Sequence, residues 1–327
     1  MKSFSNLKHK EWILPLIIGV AVGILRVWLA YQIRPYLGNG AGDFTFATRI
    51  AHDIWEGRDT YTAYPMTPDS VSYPLPAGIL AMPFALFSDE IASGLFMGLS
   101  CFVLAWCLLR NGRMWPLLVF LSWPFAYALL FAQWTPLFMS LWFLPMMLPL
   151  ILVKPQIALP LIVTGKKFSK TGVILTAALL LVSLIIYPTW PLVWLKQTGT
   201  YKGLPPLFSL PLGPLILLAL FKYRDRRAWL LFLFALMPQR VLYDQLPLLL
   251  IATSGMEMFF LVFCSWLTLP MLLLTGGWSR LPLNWQFWII LTLYLPCLVL
   301  LFWPDLMKFV RNVAAKRAAS VNPMLKE

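Results

Sequence analysis

Charge is the scarcest commodity in this chain. Of its 327 residues only 26 are Lys or Arg and 13 are Asp or Glu, 12% in all, against roughly 25% in a soluble domain. Hydrophobic residues make up 60%. So few polar side chains cannot clothe an apolar interior in water, which excludes the soluble globular class. Disorder needs the opposite composition and is excluded too. Cysteine is also sparse. Cys101, Cys107, Cys264 and Cys297 all lie in apolar runs with no CxxC and no His nearby, a pattern that suits neither a disulfide framework nor a metal site. His52 is the only histidine outside the amino-terminal tail, and no Ser-His-Asp set, P-loop, HExxH or dinucleotide fingerprint occurs.

What is present in quantity is apolar sequence in long runs. A membrane span needs about 20 such residues. Candidates are 12–31, 91–109, 114–132, 134–153, 171–187, 207–221, the broken pair 228–238 and 241–253, 257–275 and 285–303, with a short proline-interrupted segment at 74–88. These predict an all-α, polytopic transmembrane helical bundle of about ten to twelve crossings, a single integral membrane domain over 1–327. The net charge of +13 comes from basic clusters between apolar segments, such as Lys222, Arg224, Arg226 and Arg227, as expected where Lys and Arg collect on the cytoplasmic side. It is no nucleic-acid footprint. The first apolar run is followed at once by Arg34 and lacks a cleavage pattern, so it reads as a retained span. The amino terminus, 222–227 and a basic tail at 304–327 then face the cytoplasm, while 31–73 and 188–206 form two extracytoplasmic loops. Arg110 and Arg113 fit this orientation only if 74–88 is re-entrant or 155–165 is itself a crossing.

The acids are unevenly spread. Asp43, Asp53, Glu56, Asp59, Asp69, Asp89 and Glu90 fall in one stretch. From Asp43 to Trp55, Ala47, Ile50, Ala51 and Ile54 share one helical face, while Thr45, Thr48, Arg49, His52, Asp53 and Glu56 share the other. With Gly57 as its stop, this predicts an amphipathic surface helix over 43–57, apolar face down on the membrane. Asp43 follows Gly38-Asn39-Gly40-Ala41-Gly42 and has two readings: a helix N-cap, or a general base toward a hydroxyl.

Other positions combine polarity with membrane depth, where ionisable groups tend to be functional. Tyr73-Pro74 stands where the loop meets the next apolar segment, and Tyr73 reads as an interfacial aromatic. The break around Pro238 carries Arg240, Tyr243 and Asp244. Arg240 suits an anionic head group through its planar fork, or closes a kink with Asp244 at i+4. Gln133 stands at a helix junction, and Lys154 either snorkels to the interface or turns inward. Lys196 and Lys202 lie in the second outward loop, positioned to meet an anionic lipid or to remain solvated. Arg26 lies inside a span and Glu257 at the edge of one; both are expected to face the bundle interior.

The run Asp43, then Gly57-Arg58-Asp59-Thr60-Tyr61, Tyr73-Pro74 and Pro83, followed by Ala132-Gln133 and Lys154-Pro155, resembles the first half of the GT-C glycosyltransferases. It is most similar to their α-1,2-mannosyltransferase-like branch, which uses polyprenyl-phosphate sugars. The likeness covers about residues 12–165. Thr60, Leu75 and Ala132 depart from the branch pattern, which has Pro, Pro and Gly there, and a His often found after the broken helix is absent. The resemblance implies a GT-C-like fold and a membrane enzyme of the bacterial inner or plasma membrane with its site on the extracytoplasmic side. Asp43 would be the catalytic base, and Arg240, with Lys196 or Lys202, would hold the donor phosphate. Tyr73, Arg49, Gln133, Lys154, Tyr243 and Asp244 would bind substrate. The partners implied are a polyprenyl-phosphate-linked sugar, a glycan, lipid or protein acceptor, and membrane lipids. No metal or cofactor is expected. Two other classes compete: a transporter or lipid flippase, which needs broken helices meeting at mid-membrane, and a non-catalytic subunit that docks through the outward loop.

Overall fold

The computed structural model describes residues 12–37, 42–63, 73–198, 205–238, 243–274 and 286–321. Every regular element among them is helical. The first half contains α1 (Ile13–Leu37), α2 (Phe44–Trp55), α3 (Thr60–Ala63), α4 (Leu75–Ala81), α5 (Asp89–Leu109), α6 (Trp123–Leu130), α7 (Thr135–Met139) and α8 (Pro155–Thr164). The second half adds α9 (Lys170–Ile186), α10 (Trp190–Thr198), α11 (Arg226–Leu236), α12 (Gly255–Trp266), α13 (Thr268–Leu274) and a carboxy-terminal helix, Leu295–Val321.

Among the described residues, three helical stretches are long and apolar enough to cross a membrane: Ile13–Gln32, Asp89–Leu109 and Gln286–Ala314. The count rises to four if α9 and α10, bent by 97° at their junction, form one span. The ten to twelve continuous crossings expected from hydropathy are not there as such. Proline is the reason, because it removes a helical donor and clashes with the preceding turn. The apolar run 114–132 becomes a 3-10 segment, Trp115–Leu121, followed by α6. The run 134–153 divides into α7 and two further 3-10 segments, the second of which carries Pro145 and Pro149. Gly213–Lys222 and Leu246–Ile251 are also 3-10, each with a proline in its first turn. α4 has only 7 residues and α8 has 10, so neither is a full helical crossing.

Loop boundaries shift as well. α1 continues through 31–37, α10 occupies part of the expected loop at 188–206, and the expected tail at 304–327 is helical as far as Val321. Glu257 does not face the interior. It accepts from the Thr253 amide and hydroxyl while Ser254 accepts from the Glu257 amide, a reciprocal cap on α12.

The exteriors of α1 and α9 are apolar: Ile13, Ile17, Val20 and Ile24 on the first and Ile174, Leu181 and Ile185 on the second are exposed. Arg26, by contrast, is wholly buried, with the charge of Glu90 acting on it. Apolar surface around a buried ion is the arrangement a hydrocarbon solvent selects.

α1 and α5 pack antiparallel along a seam of four glycines. A Cβ at Gly19 would lie 2.7 Å from the Gly98 carbonyl oxygen, and one at Gly98 would lie 2.9 Å from that of Gly19. Gly23 and Gly94 face one another in the same way, at 3.0 and 2.9 Å. Small residues four apart let two backbones approach closely where no hydrophobic effect drives helices together. Gly98→Leu should therefore separate α1 from α5. We expect it to reduce the folded, monodisperse fraction in detergent by size-exclusion chromatography, while Leu99→Ala, at a half-exposed neighbour, leaves that fraction unchanged.

Candidate active site around Asp43

The site is assembled from five chain segments, the start of α2 among them. Gly42 has φ +68°, in the left-handed region where glycine is at ease. A Cβ there would lie 2.5 Å from the Phe131 carbonyl oxygen. The absent side chain lets the Asp43 amide donate to that same carbonyl at 2.9 Å, tying the start of α2 to the end of α6. Phe44, next in sequence, stacks on Phe96 of α5 with ring centroids 4.0 Å apart, and both rings contact Trp134. Asp43 is thus fixed on its backbone side by a hydrogen bond and on its carboxy-terminal side by a buried aromatic cluster.

Asp43 occupies the N-cap position of α2, yet its side chain makes no capping bond. Its Oδ2 instead accepts from the Gln133 amide, Nε2, and from the Tyr243 hydroxyl at 3.3 Å. Of the two readings of this residue, the cap is therefore not what its carboxylate does.

Gln133 is delivered by the termination of α6. The Gln133 amide donates to the Ala128 carbonyl and the Ala132 amide to that of Leu129, the paired bonds of a Schellman motif. Ala132 fills the left-handed position of that motif with φ +46°. This is where the resembled branch carries glycine, and it explains why a residue without Cβ suits the place. Gln133 is completely buried.

Lys154 precedes Pro155 and is the N-cap residue of α8, with φ −141° and ψ 84°, outside the helical region that a following proline disfavours. It does not snorkel. It is 9% exposed, and its Nζ donates to Gln133 Oε1 at 3.0 Å. The same ammonium lies 3.9 Å from Asp244 Oδ1 and 5.3 Å from the ring centres of both Tyr73 and Tyr243. Tyr73 is buried against Lys154 and Trp134, so it is an interior residue and not an interfacial one. Tyr243 is further braced by Tyr127, whose ring stacks on it at 5.9 Å.

The structure thus brings together Asp43, Tyr73, Gln133, Lys154, Tyr243 and Asp244 from the expected set. It does not bring in Arg49, which is exposed on α2 with its guanidinium over Phe46, nor does it place Lys196 in this cluster; Lys196 is exposed on α10. Arg240 and Lys202 lie outside the described residues, and so does any pairing of Arg240 with Asp244. Sequence reasoning missed Tyr127 and the Phe131 carbonyl. A tyrosine inside an apolar run was the only available hint of the first, and no side-chain pattern marks the second.

α2 itself is less superficial than expected. Thr45, Thr48 and Asp53, all assigned to its polar face, are buried. α4 and α5 pack over it: Gly78 of α4 abuts Ile50, and Thr48 donates to Asp89 at 3.1 Å. Asp53 is paired with Arg58 at 3.0 Å. Nearby, Asp59 accepts from the Tyr187 hydroxyl at 3.1 Å and from the Tyr61 amide at 2.9 Å, so the Gly57–Tyr61 turn is fastened to the end of α9. Burial pushes the Tyr61 phenol up, which keeps it neutral.

Among the described residues no group of His, Cys, Asp and Glu is arranged to hold a metal ion. No protein-family model, curated protein or solved structure matches this chain.

Two backbone positions test this construction. Ala132→Gly should relieve a left-handed alanine, worth about 1 kcal/mol, and raise the thermal unfolding midpoint. Gly42→Ala should lower that midpoint, costing about 1–3 kcal/mol through backbone strain, and displace Asp43 from Phe131.

Proposed function

We propose that this protein is an integral-membrane glycosyltransferase of GT-C type. It would transfer a hexose or pentose, mannose among them, from a polyprenyl-phosphate donor to a hydroxyl acceptor on the extracytoplasmic side. The observation that carries the reading is the state of Asp43. A carboxylate at a helix start, half-buried and not used for capping, is held by buried donors on one oxygen. Its other oxygen, Oδ1, accepts no hydrogen bond from the described residues. That is what a general base requires: fixed orientation and one lone-pair edge turned to a substrate proton.

In the reaction, an acceptor oxygen attacks the anomeric carbon while its proton passes to Asp43. The new C–O bond forms as the bond to the phosphate oxygen breaks, with inversion. Polyprenyl phosphate leaves with the electron pair, and Asp43 later returns its proton to solvent or to the departing phosphate. Arg240, aided by Lys196 or Lys202, would offset the charge developing on the leaving group. The fold belongs to the same proposal: the short and bent segments supply the crossings beyond the long helices, and the lipid tail lies between them.

Asp43→Asn keeps the hydrogen-bonding shape and removes the base. In nanodiscs supplied with polyprenyl-phosphate mannose, or with the other sugars of a donor panel, we expect its release of polyprenyl phosphate to fall by about 10²–10⁴-fold with an unchanged unfolding midpoint. Undiminished turnover by this variant would remove Asp43 from the role.

A further inference from the structure

We infer that Lys154 and Gln133 are positioning residues for Asp43 and do not themselves hold the substrate: the lysine fixes which way the buried amide faces, and the amide leaves Oδ1 as the only oxygen able to take a proton. The inference rests on Asp43 being the base of the proposed reaction.

The direction of each hydrogen bond follows from the groups present. An ammonium has donors and no acceptor. Asp244 and the faces of Tyr73 and Tyr243 are partners suited to that charged form. Lys154 must therefore meet the carbonyl end of Gln133, as it does at 3.0 Å. Once Oε1 is committed, the only part of the amide that can face Asp43 is Nε2, which donates to Oδ2. Tyr243 donates to the same oxygen. Both donors converge on Oδ2, and Oδ1 accepts no hydrogen bond from the described residues.

If the lysine were lost, the Asp43 carboxylate alone would still favour Nε2 over Oε1. Oε1 would lose the ammonium that holds it, and the amide would be fixed from one end only. Among the described residues, the charged and titratable neighbours of the pair include Tyr127 on α6, Tyr73 before α4, and Tyr243 and Asp244 in one turn. That turn contributes a partner to each end of the chain: Tyr243 to Asp43 and Asp244 to Lys154. Gln133 is fully buried and Lys154 nearly so, whereas Asp43 is partly accessible. A substrate reaches the carboxylate before it reaches either residue behind it.

The test has two arms on the full chain in nanodiscs. In the first, glutamine side-chain amides are labelled with 15N, and the Gln133 signal is identified by its absence in Gln133→Leu. Lys154→Met should move and broaden that signal, and Lys154→Arg should largely restore it. An unchanged signal in Lys154→Met would overturn the inference whatever the protein catalyses. In the second arm, transfer from polyprenyl-phosphate mannose or the active member of the panel is measured. Lys154→Met and Gln133→Leu should each lower kcat by about ten- to a hundredfold, the range for losing a group that orients a functional ligand, with the donor KM unchanged. The double variant should be no worse than the poorer single one. Losses that multiply, or a raised KM with kcat intact, would mean that Lys154 acts on substrate directly and would overturn the inference. Lys154→Met removes the ammonium 3.9 Å from Asp244 and can impair folding, so Gln133→Glu serves as the second variant. It keeps an acceptor for Lys154 but cannot donate to Asp43, and it should lose as much kcat as Gln133→Leu. Full activity in Gln133→Glu would overturn the inference. If the wild-type protein moves no sugar from any donor, the glycosyltransferase reading fails while the amide arm still decides the geometry.

Discussion

Between Asp43 and Lys154 lies a single primary amide, that of Gln133, wholly buried and with the lysine nearly so. Charges in such surroundings interact far more strongly than in water, and an unpaired one is correspondingly costly. The amide lets an acid and a base share a neighbourhood without touching. Much of the local structure serves this arrangement. The Schellman turn places Gln133, Pro155 sets the backbone of Lys154, Gly42 admits Asp43, and the 243–244 turn supplies both flanks. Tyr127, Trp134 and Phe96 hold these segments together by ring contacts.

The parts of this fold that hydropathy reveals are those where apolar sequence and an unbroken backbone coincide. α1, α5 and the stretch 286–314 satisfy both conditions and stand near the expected places. Runs such as 134–153 satisfy only the first. A window average registers leucine and is blind to the donor that Pro136, Pro145 and Pro149 lack, so broken segments look like whole spans. The glycine seam was equally open to inspection. Gly19, Gly23, Gly94 and Gly98 are spaced at i, i+4 inside apolar runs, a pattern with a known meaning for helix pairs.

Legibility of the site followed the same logic. Polar residues stranded among apolar ones pointed to Gln133, Lys154 and Asp244, and the structure gathers them with Asp43. Arg49 lies apart from that cluster, exposed on the polar side of α2: charge marks a face as polar but does not say which neighbours it meets. Thr45, Thr48 and Asp53 show the converse: they are buried in a helix against which α4 and α5 pack, while Arg49 and Glu56 of the same face stay exposed. The order of the sequence held no sign of which element would come to lie over that helix.

The chain from Lys154 through Gln133 to Asp43 has a polarity, with every donor on the lysine side and every acceptor on the aspartate side. A wire of this kind cannot be reversed one residue at a time. Exchanging the ammonium for an acceptor, or the carboxylate for a donor, leaves the amide with two partners of the same sense. Among chains sharing this architecture, positions 43, 133 and 154 should accordingly behave as one inherited unit. Where one of the three differs, its counterpart at the other end should differ in the complementary sense, and variation elsewhere in the bundle should not track it.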